Sequence, residues 1–400
     1  MKRLLFVDEA PSVEAELQQA MPRDWEATCV SGVAAAQARL AESRFDLIVA
    51  DVRVPGGDGT ALLQYAREHY PHMVRVMLSG YVDRDSALRA VPVAHQFVAK
   101  PCDAATLRDL MDRASALADV LRDPDLQRVV GQIGELPSCP RVYTALSAAL
   151  ADPDTSISDV VAIIEQDMAL AARCVQLANS AYFGLARHTA SIHEAILYLG
   201  LDTVKSITLS AAIGRQFSVR RVPHGLDAEQ LQRHALLAAG LVARLLPERS
   251  LADYAVTAAL VHDIGILVLA SCLPEQFERI ARLAQEQQLT WRAAEQACLG
   301  VTHAELGAYL LGLWGLPPVI VRGVAQHHAL PTPTDDETYL ATALYLADHL
   351  AAEQVPSGLG GTGILDDELD LDALGALGWT GSLPAWRALV AELVGGRPAA

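Results

Sequence analysis

Two sets of residues in this chain have types and spacing fit for chemistry. The first lies in the N-terminal hundred: Asp8, Glu9, Asp51, Ser79 and Lys100. Three carboxylates gathered at one place repel one another unless a cation sits among them. Hard oxygen donors suit Mg²⁺, which keeps several waters and accepts a phosphate oxygen. An aspartate neutralised in this way can act as nucleophile toward a phosphoryl group and form an acyl phosphate. A lysine ammonium and a serine hydroxyl would then stabilise the charge on the transferred oxygens. Lysine occurs only at positions 2, 100 and 205, so Lys100 marks a place where a compact point charge is wanted.

The second set consists of seven typical divalent-metal donors: His234, His262, Asp263, His303, His327, His328 and Asp348. The most telling is the adjacent pair His262-Asp263, set within the apolar run from Ala258 to Leu269. An ionisable pair there costs several kcal/mol if left uncompensated. Two compensations are open: a metal, or hydrogen bonds to a partner such as His234 or Asp348 that organise the helices. Imidazole with carboxylate suits Fe, Mn, Zn or Ni better than Mg, and such a metal could activate water against a phosphoester. The pair His327-His328 also fits a helix C-terminal cap.

The elements that must position these groups change character along the chain. Short β-like runs at Arg3–Asp8, Glu26–Val30, Phe45–Asp51, Val74–Ser79 and Gln96–Ala99 alternate with helix-patterned stretches near 12–21, 33–42, 59–69 and 83–90. Five runs joined by helices predict an α/β, doubly wound, five-stranded parallel sheet of flavodoxin-like type. Function in that architecture gathers at the carboxyl ends of the strands, which is where the first set falls. From 104 the pattern is helical, with a break near Asp123-Pro124 and a single helix expected over 251–272. The expected division is a first domain over 1–118, a helical linker over 119–134, an all-α domain over 135–353 and a tail over 354–400 with one helix.

Composition narrows the function classes. The 400 residues carry a formal charge of −17 with 31 basic and 48 acidic side chains, which argues against non-specific binding to DNA or an anionic membrane. A basic recognition helix is missing, which argues against a DNA-binding output. The longest apolar candidate, Tyr254–Leu273, is interrupted by His262-Asp263, so no membrane span is expected. Scattered cysteines without CxxC spacing and an N-terminus too short for a signal peptide point to a cytoplasmic protein.

Residues 1–118 resemble the receiver domain of bacterial two-component response regulators. The matching pieces are Phe6-Val7-Asp8-Glu9-Ala10-Pro11, the stretch Asp51–Gly59, Leu78-Ser79-Gly80-Tyr81 and Phe97-Val98-Ala99-Lys100-Pro101. The resemblance implies that Asp51 is the phosphoacceptor. It implies Mg²⁺ held by Asp8, Glu9, Asp51 and the carbonyl of Arg53, phosphoryl contacts from Ser79 and Lys100, and Phe97 as the aromatic switch. Val54 and the second acid, Glu9, depart mildly from the usual residues.

The helical half resembles the HD superfamily of metal-dependent phosphohydrolases, with His234, His262-Asp263 and Asp348 in the four places of its pattern. His303 and His327-His328 resemble the additional ligands of the HD-GYP branch, which hydrolyses cyclic di-GMP. Position 266, a Lys in that branch, is Ile266. Gln230 stands where a Glu is expected, and no GYP follows His328. A closer resemblance, from 129 to about 350, is to the HDOD domain, an HD-like signalling output. It rests on Leu136-Pro137-Ser138-Cys139-Pro140, Ile164–Leu170, Leu177–Gly184, Ala195–Gly200 and His303–Gly307 running through Trp314-Gly315-Leu316-Pro317 to His327-His328. Together these imply a phosphorelay response regulator whose HDOD output acts by protein–protein contact. Its phosphodonor would be a sensor histidine kinase or phosphotransfer protein. A protein partner and homodimerisation would belong to the helical half. The alternative is a receiver-regulated HD phosphohydrolase acting on cyclic dinucleotides.

Overall fold

The computed structural model describes residues 1–8, 21–79, 93–100, 102–133, 140–150, 155–179, 189–201, 204, 226–246, 249–330, 336–356, 359 and 369–394. Glu9, the helices expected near 12–21 and 83–90, the Leu136–Cys139 stretch and most of the helix expected over 202–214 lie outside the described residues. The chain forms two compact units, one of residues 1–135 with 176–188 and 309–316, the other of the remainder.

The first unit contains β1 (Lys2–Val7), β2 (Trp25–Val30), α1 (Val33–Glu42), β3 (Leu47–Asp51), β4 (Arg53–Val54), β5 (Gly57–Asp58), α2 (Gly59–His69), β6 (Val74–Ser79), β7 (Gln96–Ala99), α3 (Ala104–Val120) and α4 (Pro124–Gly131). Five strands make an all-parallel sheet in the order β2-β1-β3-β6-β7, the doubly wound arrangement expected from the alternating pattern. Leu4, Leu5, Phe6, Val7, Ile48, Val49, Ala50, Val76 and Met77 are buried, as strands covered on both faces require. The antiparallel ribbon β4–β5 was not foreseen. Asp58, Asp103 and Asp123 accept backbone N–H groups at the starts of α2, α3 and α4, and Pro124 opens the last of these, where its missing N–H costs nothing.

The second unit is helical. It contains α5 (Pro140–Ala149), α6 (Ile157–Ile164), α7 (Met168–Ala178), α8 (Ile192–Leu199), α9 (Ala228–Leu245), α10 (Arg249–Val261), α11 (Ile264–Cys272), α12 (Pro274–Gln287), α13 (Trp291–Leu299), α14 (His303–Leu313), α15 (Pro318–Gln326), α16 (Asp336–Ala352), α17 (Leu371–Ala376) and α18 (Leu383–Val394); the ends of α7 and α14 fall in the first unit. The packed centre is α9, α10 and α16, with α15 against α10 and α16.

Two expectations are corrected. The helix expected over 251–272 is two helices, broken at His262-Asp263, where Asp263 sits outside helical geometry at φ −91°, ψ 11°. The His262 ring donates through Nδ1 to the carbonyl of Ala259, and the chain turns there instead of continuing. Among the described residues the tail holds two α-helices where one was expected; Asp370 caps the first and Arg387 pairs with Glu353. The stretch Ala252–Cys272 is long and apolar enough to cross a membrane, and 78% of an 18-residue apolar window within it is buried inside the structure.

Candidate functional site

In-register parallel strands bring the described members of the first set, Asp8, Asp51, Ser79 and Lys100, to one edge of the sheet. Asp8 follows β1, Asp51 ends β3, Ser79 ends β6 and Lys100 follows β7. Lys100 Nζ lies 3.0 and 2.9 Å from the two carboxylate oxygens of Asp8 and 2.8 Å from Asp51 Oδ2. Partial burial pushes the Lys100 ammonium down, but the hydrogen bonds it donates to Asp51 and Asp8 outweigh this and raise its pKa. The backbone beside Asp51 admits no side chain. A Cβ on Gly59 would lie 1.8 Å from the Asp51 carbonyl oxygen, so only glycine allows α2 to start this close to the end of β3. Phe97 is buried in the core with Ala50 and Met77. Arg53 is exposed on β4.

The donor chemistry fits a hard cation: two carboxylates at adjacent strand ends, drawn to the same positive charge. Asp51 is the more accessible of the two carboxylates, with 18% of its side chain exposed against 6% for Asp8.

The second set converges in the helical unit. His234 comes from α9, Asp263 and His262 from the break between α10 and α11, His303 from the start of α14, His327 and His328 from the end of α15, and Asp348 from α16. Three overlapping donor groups, His234/His262/Asp348, His262/Asp263/His327 and His303/His327/His328, each have their ligand atoms within 4.8 Å of one another. His262 Nε2 is 3.3 Å from Asp263 Oδ2 and 3.4 Å from Asp348 Oδ1, and His303 Nε2 is 3.4 Å from Asp263 Oδ1. His234 Nε2 stands at direct hydrogen-bond distance from Asp348 Oδ1, 2.9 Å, whereas the 3.3–3.4 Å separations are longer and match the roughly 3.3–3.6 Å between donors that share one tetrahedral cation at about 2.0–2.2 Å.

Four of the five imidazoles are turned the same way. Carbonyl oxygens only accept, so the Nδ1–H groups of His234, His262 and His327 donate to Val355, Ala259 and Val324 at 2.9, 2.7 and 2.7 Å. His303 Nδ1 donates to Glu295 at 2.8 Å. All four therefore direct Nε2 inward, the arrangement that fixes tautomer and ring angle in metal-bound histidines. His262 Nε2, Asp263 Oδ2 and His327 Nε2 are buried and form no hydrogen bond. Buried polar atoms normally do, and a cation among them would satisfy all three.

Charge is arranged to match. Burial would strip the His262 proton, but Asp263 and Asp348 hold its pKa well above the usual imidazole value. His303 is pushed up to about 10, because Glu295 and Asp263 outweigh burial. Burial would raise Asp263 and Asp348, yet His262 together with His303 and His234 holds both well below the carboxylate range. Burial, and then neighbouring imidazoles, push His327 down to about 3 and His328 well below 6.5. A divalent cation would take the place of the protons on His262 and His303.

One residue of this site was missed from the sequence. Glu295 is fully buried and accepts from Trp291 Nε1 at 2.6 Å as well as from His303. Its signal was the four-residue spacing from Trp291, which puts both on the inner stripe of α13. Ile266 is buried core, and Gln230 is half-buried one turn before His234.

Residues 4–112 match the response regulator receiver domain family, and residues 136–330 match the HDOD domain family. The chain carries a receiver domain followed by an HDOD domain. An uncharacterized protein from Treponema pallidum (strain Nichols) is 27% identical over 239 residues, 58% of this chain and 46% of that protein. The response regulator protein PilR from Pseudomonas aeruginosa is 32% identical over 128 residues, 32% of this chain and 28% of PilR. The chain thus spans less than half the length of these relatives. The MmoQ response regulator from Methylococcus capsulatus str. Bath shares the fold with a TM-score of 0.50 and 24% identity, covering 64% of this chain and 98% of that structure. Neither matched domain is a DNA-binding one.

Proposed function

We propose that this chain is a cytoplasmic phosphorelay response regulator: Asp51 takes a phosphoryl group, and the HDOD domain passes the change on through contacts with another protein. The observation that carries this reading is the Lys100 ammonium set between Asp8 and Asp51. An Asp51 carboxylate oxygen attacks phosphorus, the bond to the donor breaks, and the leaving group departs with its electron pair. The donor is a phosphohistidine of a sensor kinase or phosphotransfer protein, or a small acyl phosphate. Lys100 then exchanges its bond to the free carboxylate for one to a phosphoryl oxygen, a charge-assisted contact of similar kind. Mg²⁺ held by Asp8 and Asp51, with Glu9 and the Arg53 carbonyl, would neutralise the oxygens during transfer. Ser79 is assigned a contact to the phosphoryl group. Acetyl phosphate with Mg²⁺ should add the mass of one PO₃ group to the wild-type chain and none to Asp51→Asn. Labelling of Asp51→Asn would overturn the assignment.

The four inward-facing Nε2 atoms favour a second reading of the helical half, as a metal-binding HD-type site. His234, His262, Asp263, His303, His327, His328 and Asp348 would hold one or two ions of Fe, Mn, Zn or Ni. Such an ion supplies Lewis acidity and an activated water. Whether that chemistry is used on a phosphodiester is separated from a binding role by incubating metal-loaded, untagged protein with cyclic dinucleotides. Turnover establishes a hydrolase, and its absence in a metal-loaded protein leaves the contact role. Ile266 favours the contact role, since an apolar core residue stands where a phosphate-binding cation would be needed.

A further inference from the structure

We propose that Glu295 is a positioning residue of the buried centre, holding His303 so that its Nε2 lone pair is presented to a cation. This inference rests on the metal-binding reading above. The contacts of Glu295 are concentrated on one neighbour. Its two oxygens accept from His303 Nδ1 at 3.0 and 2.8 Å, and Oε2 also accepts the His303 backbone N–H at 3.0 Å. His303 is the first residue of α14, where backbone N–H groups lack helical partners and the helix dipole favours negative charge. One carboxylate therefore fixes both the main chain and the ring of the same histidine. Trp291 Nε1 holds the carboxylate from behind at 2.6 Å, and Trp291 itself packs against Phe277 with ring centroids 5.0 Å apart.

A carboxylate that merely stitched α13 to α14 would need only a histidine facing it. His303 faces two ways. Its far nitrogen, Nε2, lies 2.9 Å from His328 Nε2 and 3.4 Å from Asp263 Oδ1, inside the donor set. The order Trp291–Glu295–His303–centre is thus a relay of orientation: the indole fixes the carboxylate, the carboxylate fixes the tautomer, and the tautomer directs the lone pair. The negative charge of Glu295 also makes the imidazole a stronger donor to a cation.

The test uses the full-length, untagged protein, stripped with chelator and titrated with Zn²⁺ and with Mn²⁺, and reads stoichiometry and affinity by chelator competition. Glu295→Gln keeps the shape but removes the charge, and Glu295→Ala removes the grip. Loss of such an outer partner costs about 10–100-fold in metal affinity, so Gln should sit near the lower figure and Ala near the upper one. Trp291→Phe loosens the carboxylate but keeps its charge and its bonds to His303, so it should weaken metal binding measurably yet less than Glu295→Gln; a larger loss than in Glu295→Gln would contradict the order of the relay. Unchanged affinity in both Glu295 variants overturns the proposal while the metal site stands. A wild-type chain that takes up neither metal overturns the underlying reading, and this proposal with it. Should Glu295→Ala fail to fold, ring ¹⁵N NMR of the metal-loaded wild type decides. A protonated Nδ1 with metal-shifted Nε2 on His303 is expected, and the opposite assignment refutes the relay.

Discussion

Replacement of Gly265 by alanine probes how closely the buried centre is built. A Cβ at this position would stand 1.9 Å from the His303 carbonyl oxygen, 2.7 Å from its carbon and 2.9 Å from the Gly307 nitrogen. An ordinary C···O approach is about 3.3–3.6 Å, so α11 and α14 would have to part by roughly 1.5 Å. All the obstructing atoms are backbone, and no side chain can rotate away. Overpacking typically costs about 1–3 kcal/mol, and backbone against backbone belongs at or above the upper end. The same displacement moves Asp263, two residues before Gly265, away from His303. Metal sites tolerate about 0.2 Å in ligand distance, so metal affinity should fall at least tenfold. Gly300→Ala is the control. Gly300 has φ +72° with nothing within 4 Å of the added Cβ, so it should lose only the ~1–2 kcal/mol of left-handed backbone strain and keep its metal affinity. Calorimetric melting of the chelated protein and competition titration with Zn²⁺ measure the two effects separately. Equal melting and equal affinity in the two variants would refute the close-approach reasoning.

Other outcomes follow from the first unit. Lys100→Met leaves Asp8 and Asp51 facing each other without their shared cation; removing one partner of such a charged hydrogen bond costs about 1–3 kcal/mol. Its melting temperature should drop by several degrees, with millimolar Mg²⁺ restoring more of it than in wild type. Arg75, 1% exposed, donates to the carbonyls of Val93 and Gly131 at 2.7 Å each and reaches those of Pro71 and Met73. Arg75→Met should destabilise the receiver unit by about 3 kcal/mol through stranded carbonyls, read as a marked fall in its urea midpoint. His95 is held neutral well below 6.5 by burial and by Arg75. The unfolded chain takes up a proton below about 6.5 and the folded one does not, so the receiver unit should lose up to ~1.4 kcal/mol of stability per pH unit as acid is added. Denaturation at pH 7.5, 6.0 and 5.0 measures that slope, and His95→Gln should make it shallower.

The receiver half was legible because its chemistry lies at the ends of apolar runs whose buried character is written in consecutive residues. Asp8, Asp51, Ser79 and Lys100 fell at the ends of β1, β3, β6 and β7, which are neighbours in the sheet, and parallel register did the rest. The short ribbon β4–β5 carries no apolar run and could not be read. In the helical half the seven donors were legible by type, and their convergence is a matter of tertiary packing. The break at His262-Asp263 was hidden because apolar residues continue unbroken on both sides, while its causes, the bond to Ala259 and the crossing of Gly265 over α14, are set by folding. Glu295 was hidden for the opposite reason: a charged residue on an amphipathic helix reads as solvent-facing, and only Trp291 one turn earlier marked that stripe as buried.

Hydrogen–deuterium exchange of the full chain with and without beryllofluoride and Mg²⁺ tests the central claim most directly. Charging Asp51 should alter amide protection both in the receiver and in helices of the HDOD domain, and Asp51→Asn should abolish both changes. A wild-type receiver that takes the phosphoryl mimic while every HDOD helix exchanges as before would contradict the account.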